Sequence, residues 1–262
     1  VFMGIQMLRY FLVALFLSML VGLILFSPLE EGIASEEVEE ESAYENIYIR
    51  TIIDREEDYK TQIEIPIFQY EQLNIYFAQY AEQVKQQFLQ ELEELDSVDS
   101  HRPGDLIVGL EIYPAGEQIY SLVFAEEAYT GGANVNQRTK VEMVDLNTGE
   151  LIDRDQLFND PEAAWKELSE MVAERLEKSE YYKDYILDEE LSAWKNQTTP
   201  DFHQMFIRDG EVVFKFNKYE VVAGVAGMPE IGIPIKDAEE LFHPEWLERL
   251  NLEQNSSSDY YL

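Results

Sequence analysis

The hydrophobic and polar positions change rhythm several times along the chain, and each rhythm predicts an element. Residues 10–26 are an uncharged, largely apolar run, followed at residues 28–43 by an acidic stretch of almost no apolar content. Residues 47–53 and 59–67, β-branched and aromatic, flank Asp54-Arg-Glu-Glu-Asp58 and predict a hairpin. From 72 to 95 the apolar residues Leu73, Phe77, Tyr80, Val84, Phe88, Leu92 and Leu95 recur every three or four positions, the spacing of a long amphipathic helix. Strands are expected at 106–113 and 118–125, joined by Pro114-Ala-Gly-Glu117.

After Tyr129-Thr-Gly-Gly-Ala-Asn134 the pattern restarts. Residues 139–145 alternate as a strand, and Leu146-Asn-Thr-Gly149 turns the chain into 150–153. Asp160-Pro161 opens a helix through Lys178, with Asp as cap and Pro in the first turn. Further short helix is expected at 181–195, a hairpin of 201–207 with 211–216 about Arg208-Asp-Gly210, a strand at 231–235, and short helices at 237–242 and 244–250. Strands stand beside helices without the alternation of parallel βαβ folds. The expected class is therefore α+β: antiparallel sheets packed on one long and several shorter helices, after an N-terminal membrane segment.

The N-terminal run sets the expected address. Its 17 residues lie between a signal-peptide core of about 7–15 residues and a full span of about 20. Arg9 is the only charge before it, against Glu30, Glu31 and the glutamates of 36–41, so the bulk of the chain is expected outside. The expected organisation is a signal peptide or signal-anchor at 1–27, an acidic tether at 28–43, a first α+β unit at 44–134, a second at 135–250, and a polar tail at 251–262. The product is membrane-anchored with an extracellular domain, or secreted if cleaved after Ala34.

Composition narrows the chemistry. With 53 acidic and 19 basic side chains the net charge is −34, and no basic patch exists to release counterions from nucleic acid, which excludes that partner. Residues 1–34 hold only Glu30, Glu31 and Arg9, so nearly all of this acidity belongs to the exported part. The absence of cysteine removes thiolate nucleophiles, disulfides and Cys-based metal sites, and the three histidines are scattered.

No strong catalytic motif emerges. Ser192-Ala-Trp-Lys195 matches the Ser-x-x-Lys of penicillin-recognising enzymes but lacks their companion elements. Asp145-Leu-Asn-Thr-Gly149 resembles the start of a calcium loop, yet its glycine falls at position five and Gln156 stands at position twelve, so a hairpin turn explains it better. The sequence therefore predicts a non-enzymatic protein, with no cofactor and no metal. Two glycine-bearing segments, 129–134 and 219–230, place small residues beside aromatics, a composition that would shape a ligand groove and that tight loop packing in a compact domain also needs. Tyr129, Thr130, Asn134 and Tyr219 are its candidate binding residues.

The same segments carry a family resemblance. Tyr129-Thr-Gly-Gly-Ala-Asn134, Asp145-Leu-Asn-Thr-Gly149 with Leu157-Phe158, and Phe214-Lys-Phe-Asn-Lys-Tyr219 through Ala226-Gly-Met-Pro-Glu230 and Ile233-Pro234 resemble an extracytoplasmic domain pair of unknown function. That pair is shared by RsiV-like anti-sigma factors and the N-terminal region of PdaC-like peptidoglycan deacetylases. Where the family often has His-Gly, Asn134-Val135 stands here. With nine residues before the apolar run and none left for a deacetylase domain, the resemblance implies a binding or sensing module of the cell envelope. Its implied partners are a lysozyme-like basic protein, which an acidic surface would attract, or peptidoglycan. The alternatives are an envelope glycan hydrolase working through paired carboxylates, or an accessory subunit of a separately encoded enzyme.

Overall fold

The computed structural model describes residues 34–95, 103–131 and 135–250. The apolar run, the start of the acidic stretch, Asn134 and the polar tail lie outside the described residues. Among those residues no helix is long and apolar enough to cross a membrane.

Seven strands form one sheet in chain order: β1 (Ala34–Glu41), β2 (Tyr48–Arg55), β3 (Tyr59–Ile67), β4 (Gly104–Gly116), β5 (Ile119–Tyr129), β6 (Asn136–Asp145) and β7 (Glu150–Leu151). Neighbours are antiparallel except β3 and β4, which run parallel from Tyr59↔Gly104 to Ile63↔Val108. That exception follows from the helix α1 (Glu71–Leu95) between them, because parallel neighbours need a crossover rather than a hairpin. A second, three-stranded sheet has the order β10 (Glu230–Pro234), β9 (Glu211–Lys215), β8 (Met205–Arg208). The remaining helices are α2 (Pro161–Lys178), α3 (Asp188–Lys195) and α4 (Pro244–Arg249).

The molecule is layered as α1, large sheet, small sheet, α2. Strand β5 explains why. Its Ile-Tyr-Ser-Leu-Val-Phe segment is buried on both faces, the near-continuous apolar pattern of a strand covered from two sides. Tyr120, Leu122 and Phe124 pack towards α1 with Phe77 and Phe88. Ile119 joins the core built on α2, and Val123 meets Phe206 and Val213 of the small sheet. The predicted stripe on α1 is the buried one: Leu73, Phe77, Tyr80, Val84 and Phe88 are all inside. Asp160 caps α2 as expected, its carboxylate accepting from the amides of Glu162 and Ala163 at 3.1 Å each.

Three expectations are corrected. Residues 34–41, read as part of a solvated tether, form β1, paired to β2 from Ala34↔Arg55 to Glu41↔Tyr48. Backbone pairing prevails over glutamate repulsion because Arg50 lies 3.1 Å from Glu39 and Arg55 3.3 Å from Glu36. The boundary at 134/135 does not divide the sheets, since β6 and β7 complete the large one and the change of sheet comes after Leu151. Between 181 and 195 only 188–195 is α-helix, and 237–242 contains 3₁₀ turns.

Candidate functional site

The candidate site is the loop between β9 and β10, residues 216–229. Its ends are tied by Phe216 N–H donating to Pro229 O at 2.9 Å. Asn217 docks it on the large sheet, its side-chain oxygen accepting from Thr139 N–H at 2.8 Å. The Glu220 carboxylate braces the first turn by accepting from Asn217 N–H (2.7 Å) and the Gln204 amide (2.8 Å). Val221, Val222 and Ala226 are buried, so the loop is anchored from beneath. A short antiparallel bridge joins Val222 to Ile186, flanked by Ala223 N–H to Tyr185 O (2.8 Å) and Leu187 N–H to Val221 O (3.0 Å).

On this anchored base Tyr219 is held outward. Its φ is 68°, a left-handed conformation that a bulky residue rarely adopts, and the residue is 62% exposed. The tip of its ring lies against Gly224, so close that a Cβ there would stand 2.2 Å from Cζ. The Lys218 ammonium sits over the ring at 5.7 Å from its centroid. Val225 is 79% exposed, and Tyr181 and Tyr185 are also exposed. The loop thus presents an aromatic surface that its own packing leaves open.

The other segment singled out by sequence lies elsewhere on the large sheet. Tyr129 ends β5 opposite Asp105 and is half-buried, while Thr130 is buried. Gly131 has φ 104°, the conformational freedom its sequence position suggested. Asn134 falls outside the described residues. The loop of Tyr219 meets the β5–β6 hairpin at Thr139.

The remaining motif residues are engaged in the scaffold. Asp145 is buried, pairs with Arg249 of α4, and accepts from Asn147 N–H at 2.9 Å, so its turn clamps the C-terminal helix. Gly149 (φ 74°) lies under the Tyr70 ring, whose hydroxyl donates to Leu146 O at 2.6 Å. Glu230 sits between Lys215 and Arg208 at 2.8 Å each. Burial pushes its carboxyl up, but those two cations outweigh it and hold it below the usual carboxylate range. Ser192 and Lys195 do not form a catalytic pair: the Lys195 ammonium goes to Glu170 at 3.1 Å, and Ser192 accepts from Asn196 at 3.2 Å.

One polar cluster escaped the sequence reading. Under α1, Glu142 of β6 accepts from the Tyr76 hydroxyl (2.5 Å) and pairs with Lys140 (2.7 Å), with Arg154 at 3.6 Å. Tyr80 donates to Glu126 at 2.8 Å. Burial first, and then the neighbouring glutamates, push both tyrosine hydroxyls up, so each stays protonated as a donor. Arg154 also reaches the carbonyls of Met205 and Val141, closing the β6 edge against the small sheet. The available signals were Tyr76/Tyr80 at helical spacing and Lys140/Glu142 at strand spacing. Among the described residues, no three carboxylate or imidazole side chains converge as a metal-ligand set.

Fold and site together define a layered α+β protein with an exposed aromatic loop on a rigid small sheet. Residues 155–236, which include α2, α3 and the whole small sheet, match the family described as "Protein of unknown function (DUF3298)". Over 247 residues the chain is 24% identical to peptidoglycan-N-acetylmuramic acid deacetylase PdaC of Bacillus subtilis (strain 168). That alignment covers 92% of this chain and 52% of the deacetylase, so the chain spans about half the length of this relative. The fold is similar to a DUF3298-family crystal structure from Pseudomonas aeruginosa PAO1, with TM-score 0.55 and 15% identity over 83% of this chain and 96% of that one. It is also similar to one from Bacteroides fragilis NCTC 9343, with TM-score 0.52 and 16% identity over 84% and 97%. The chain therefore carries a DUF3298 domain shared with PdaC-like proteins.

Proposed function

We propose that this protein is a non-catalytic binding or sensing module of the bacterial cell envelope, exported and held at the membrane by its N-terminal apolar run. Its ligand is peptidoglycan or a lysozyme-like basic protein. One contrast carries the reading. The polar motif residues Asp145, Glu230 and Lys195 are spent on ion pairs within the scaffold, whereas Tyr219 is held out to solvent in a strained backbone conformation. Maintained backbone strain marks functional positions, ligand clamps among them, and an exposed tyrosine is a common recognition anchor.

The similarity to a deacetylase named for peptidoglycan supports a wall ligand. The net charge of −34 supports a basic protein partner, because it would speed encounter and make association weaken as salt rises. The test is retention of the full chain on immobilised lysozyme and on purified muropeptides, at low and high salt. Retention on either supports the module. Peptidoglycan turnover by the chain would replace it with the hydrolase reading.

A further inference from the structure

The surface around Tyr219 can be read further, resting on the envelope-binding proposal above. Two exposed tyrosines meet one short backbone segment. The Tyr185 carbonyl accepts from Ala223 N–H, and the Tyr219 ring tip rests on the adjoining Gly224, which places both residues beside the 223–224 segment. Val225, the next residue, is the most exposed large hydrophobic side chain among the described residues. This is an apolar, aromatic strip fixed by a β-bridge and by the buried Val221, Val222 and Ala226. Its geometry is set before any ligand arrives, which lowers the ordering cost of binding.

Lys218 is the second observation. In a chain with 53 acids, lysines 85, 140, 178, 183, 195 and 215 are paired to carboxylates, while among the described residues lysines 60, 166, 218 and 236 form no ion pair. Of these four, Lys218 is the one whose ammonium lies over an aromatic ring, that of Tyr219. An ammonium without a carboxylate, beside an exposed aromatic, suits a ligand that brings its own anion. Such a ligand cannot be a dense polyanion, which the net charge would repel. Carboxylates spaced one per disaccharide remain compatible, since screening confines repulsion to about 8 Å at physiological salt.

We propose that Tyr185, Tyr219 and Val225, with the Lys218 ammonium, form a stacking platform for a glycan strand whose sugar rings bear carboxylates, as muramic acid does. The C–H face of a pyranose carries slight positive charge and meets the negative face of a tyrosine ring. The lactyl carboxylate then accepts from Lys218.

The test measures binding of the full chain to peptide-free glycan strands of alternating N-acetylglucosamine and N-acetylmuramic acid, and to chitohexaose, which lacks the carboxylate. Tyr219→Gly removes the ring while relieving the positive φ, so loss of binding cannot be assigned to a strained or unfolded loop. It is expected to weaken binding to the alternating strand about tenfold. Lys218→Gln is expected to lower affinity for that strand to the level of chitohexaose, and Tyr48→Ala, a distant exposed tyrosine, to change nothing. Equal binding by wild type and Tyr219→Gly overturns the platform while leaving the envelope-binding reading in place. Retention on lysozyme without binding to either glycan overturns the platform alone, and failure to bind lysozyme and both glycans overturns both.

Discussion

The hydroxyl of Ser121 donates to the carbonyl of Ile207 at 2.8 Å and accepts from the amide of the same residue at 3.1 Å. Ile207 pairs with Val212 one step from the two-residue turn at Asp209-Gly210, a position whose N–H and C=O point away from the hairpin partner. One buried side chain on the large sheet thereby satisfies both outward groups on the edge of the small one.

Ser121→Ala is accordingly expected to destabilise the protein by about 2 kcal/mol, because a buried N–H and C=O lose their partner at once. Urea unfolding would show this as a lower midpoint with an unchanged slope. A shift below a few tenths of a kcal/mol would mean that the contact does not hold the sheets together.

Asp145 and Arg249 lie far apart in sequence and join β6 to α4. Asp145 is buried, so Arg249→Ala leaves a carboxylate without its counter-ion, a change expected to cost about 3 kcal/mol. Helix α4 should loosen first, and limited proteolysis should cut at 244–250 earlier than in wild type. Asp145→Asn with Arg249→Met, which removes both charges, should recover part of the loss.

The ion pairs of Glu230 and Asp54 predict a component of acid unfolding. For each carboxyl burial pushes upward, and the opposing cations outweigh it: Lys215 and Arg208 at Glu230, and Lys85 at 2.7 Å from Asp54. Both folded values are depressed, so their stabilisation is fully present above the unfolded carboxylate range, about 4 to 4.5, and is lost as pH falls through the folded values. Protonating the many exposed acids relieves repulsion over the same range, which makes the comparison with Glu230→Gln necessary. That variant should be less stable at pH 7 and lose less stability between pH 5 and pH 3.

Gly224→Ala tests the seat of Tyr219 without altering the tyrosine. The new Cβ would stand 2.2 Å from the ring, which must move. Binding to an envelope ligand should fall while the melting temperature changes by a few degrees at most, since the loop is anchored from below by buried valines. Unchanged binding would show that the ring's position does not matter.

The legible parts of the fold were those decided locally. The α1 stripe, the Asp160-Pro161 cap and the Asp-Gly turn, with φ of 53° and 74° at Asp209 and Gly210, each follow from a few neighbouring residues. Strand β1 was hidden because its glutamates read as solvated chain, and the arginines that neutralise them lie on the next strand. The placement of β6 and β7 in the large sheet depends on pairing partners, which alternation alone does not reveal. At the candidate site the glycines and Tyr219 were visible as composition. The strain at Tyr219 and the tyrosines opposite it were not, because the 185–223 contact joins distant parts of the chain. The Tyr76–Glu142 cluster was hidden for the same reason.

The most direct measurement of the central proposal is retention of the full chain on purified peptidoglycan and on immobilised lysozyme over a series of salt concentrations. The account predicts retention on at least one of the two, with lysozyme binding falling as salt rises. Passage through both matrices at low salt would contradict it.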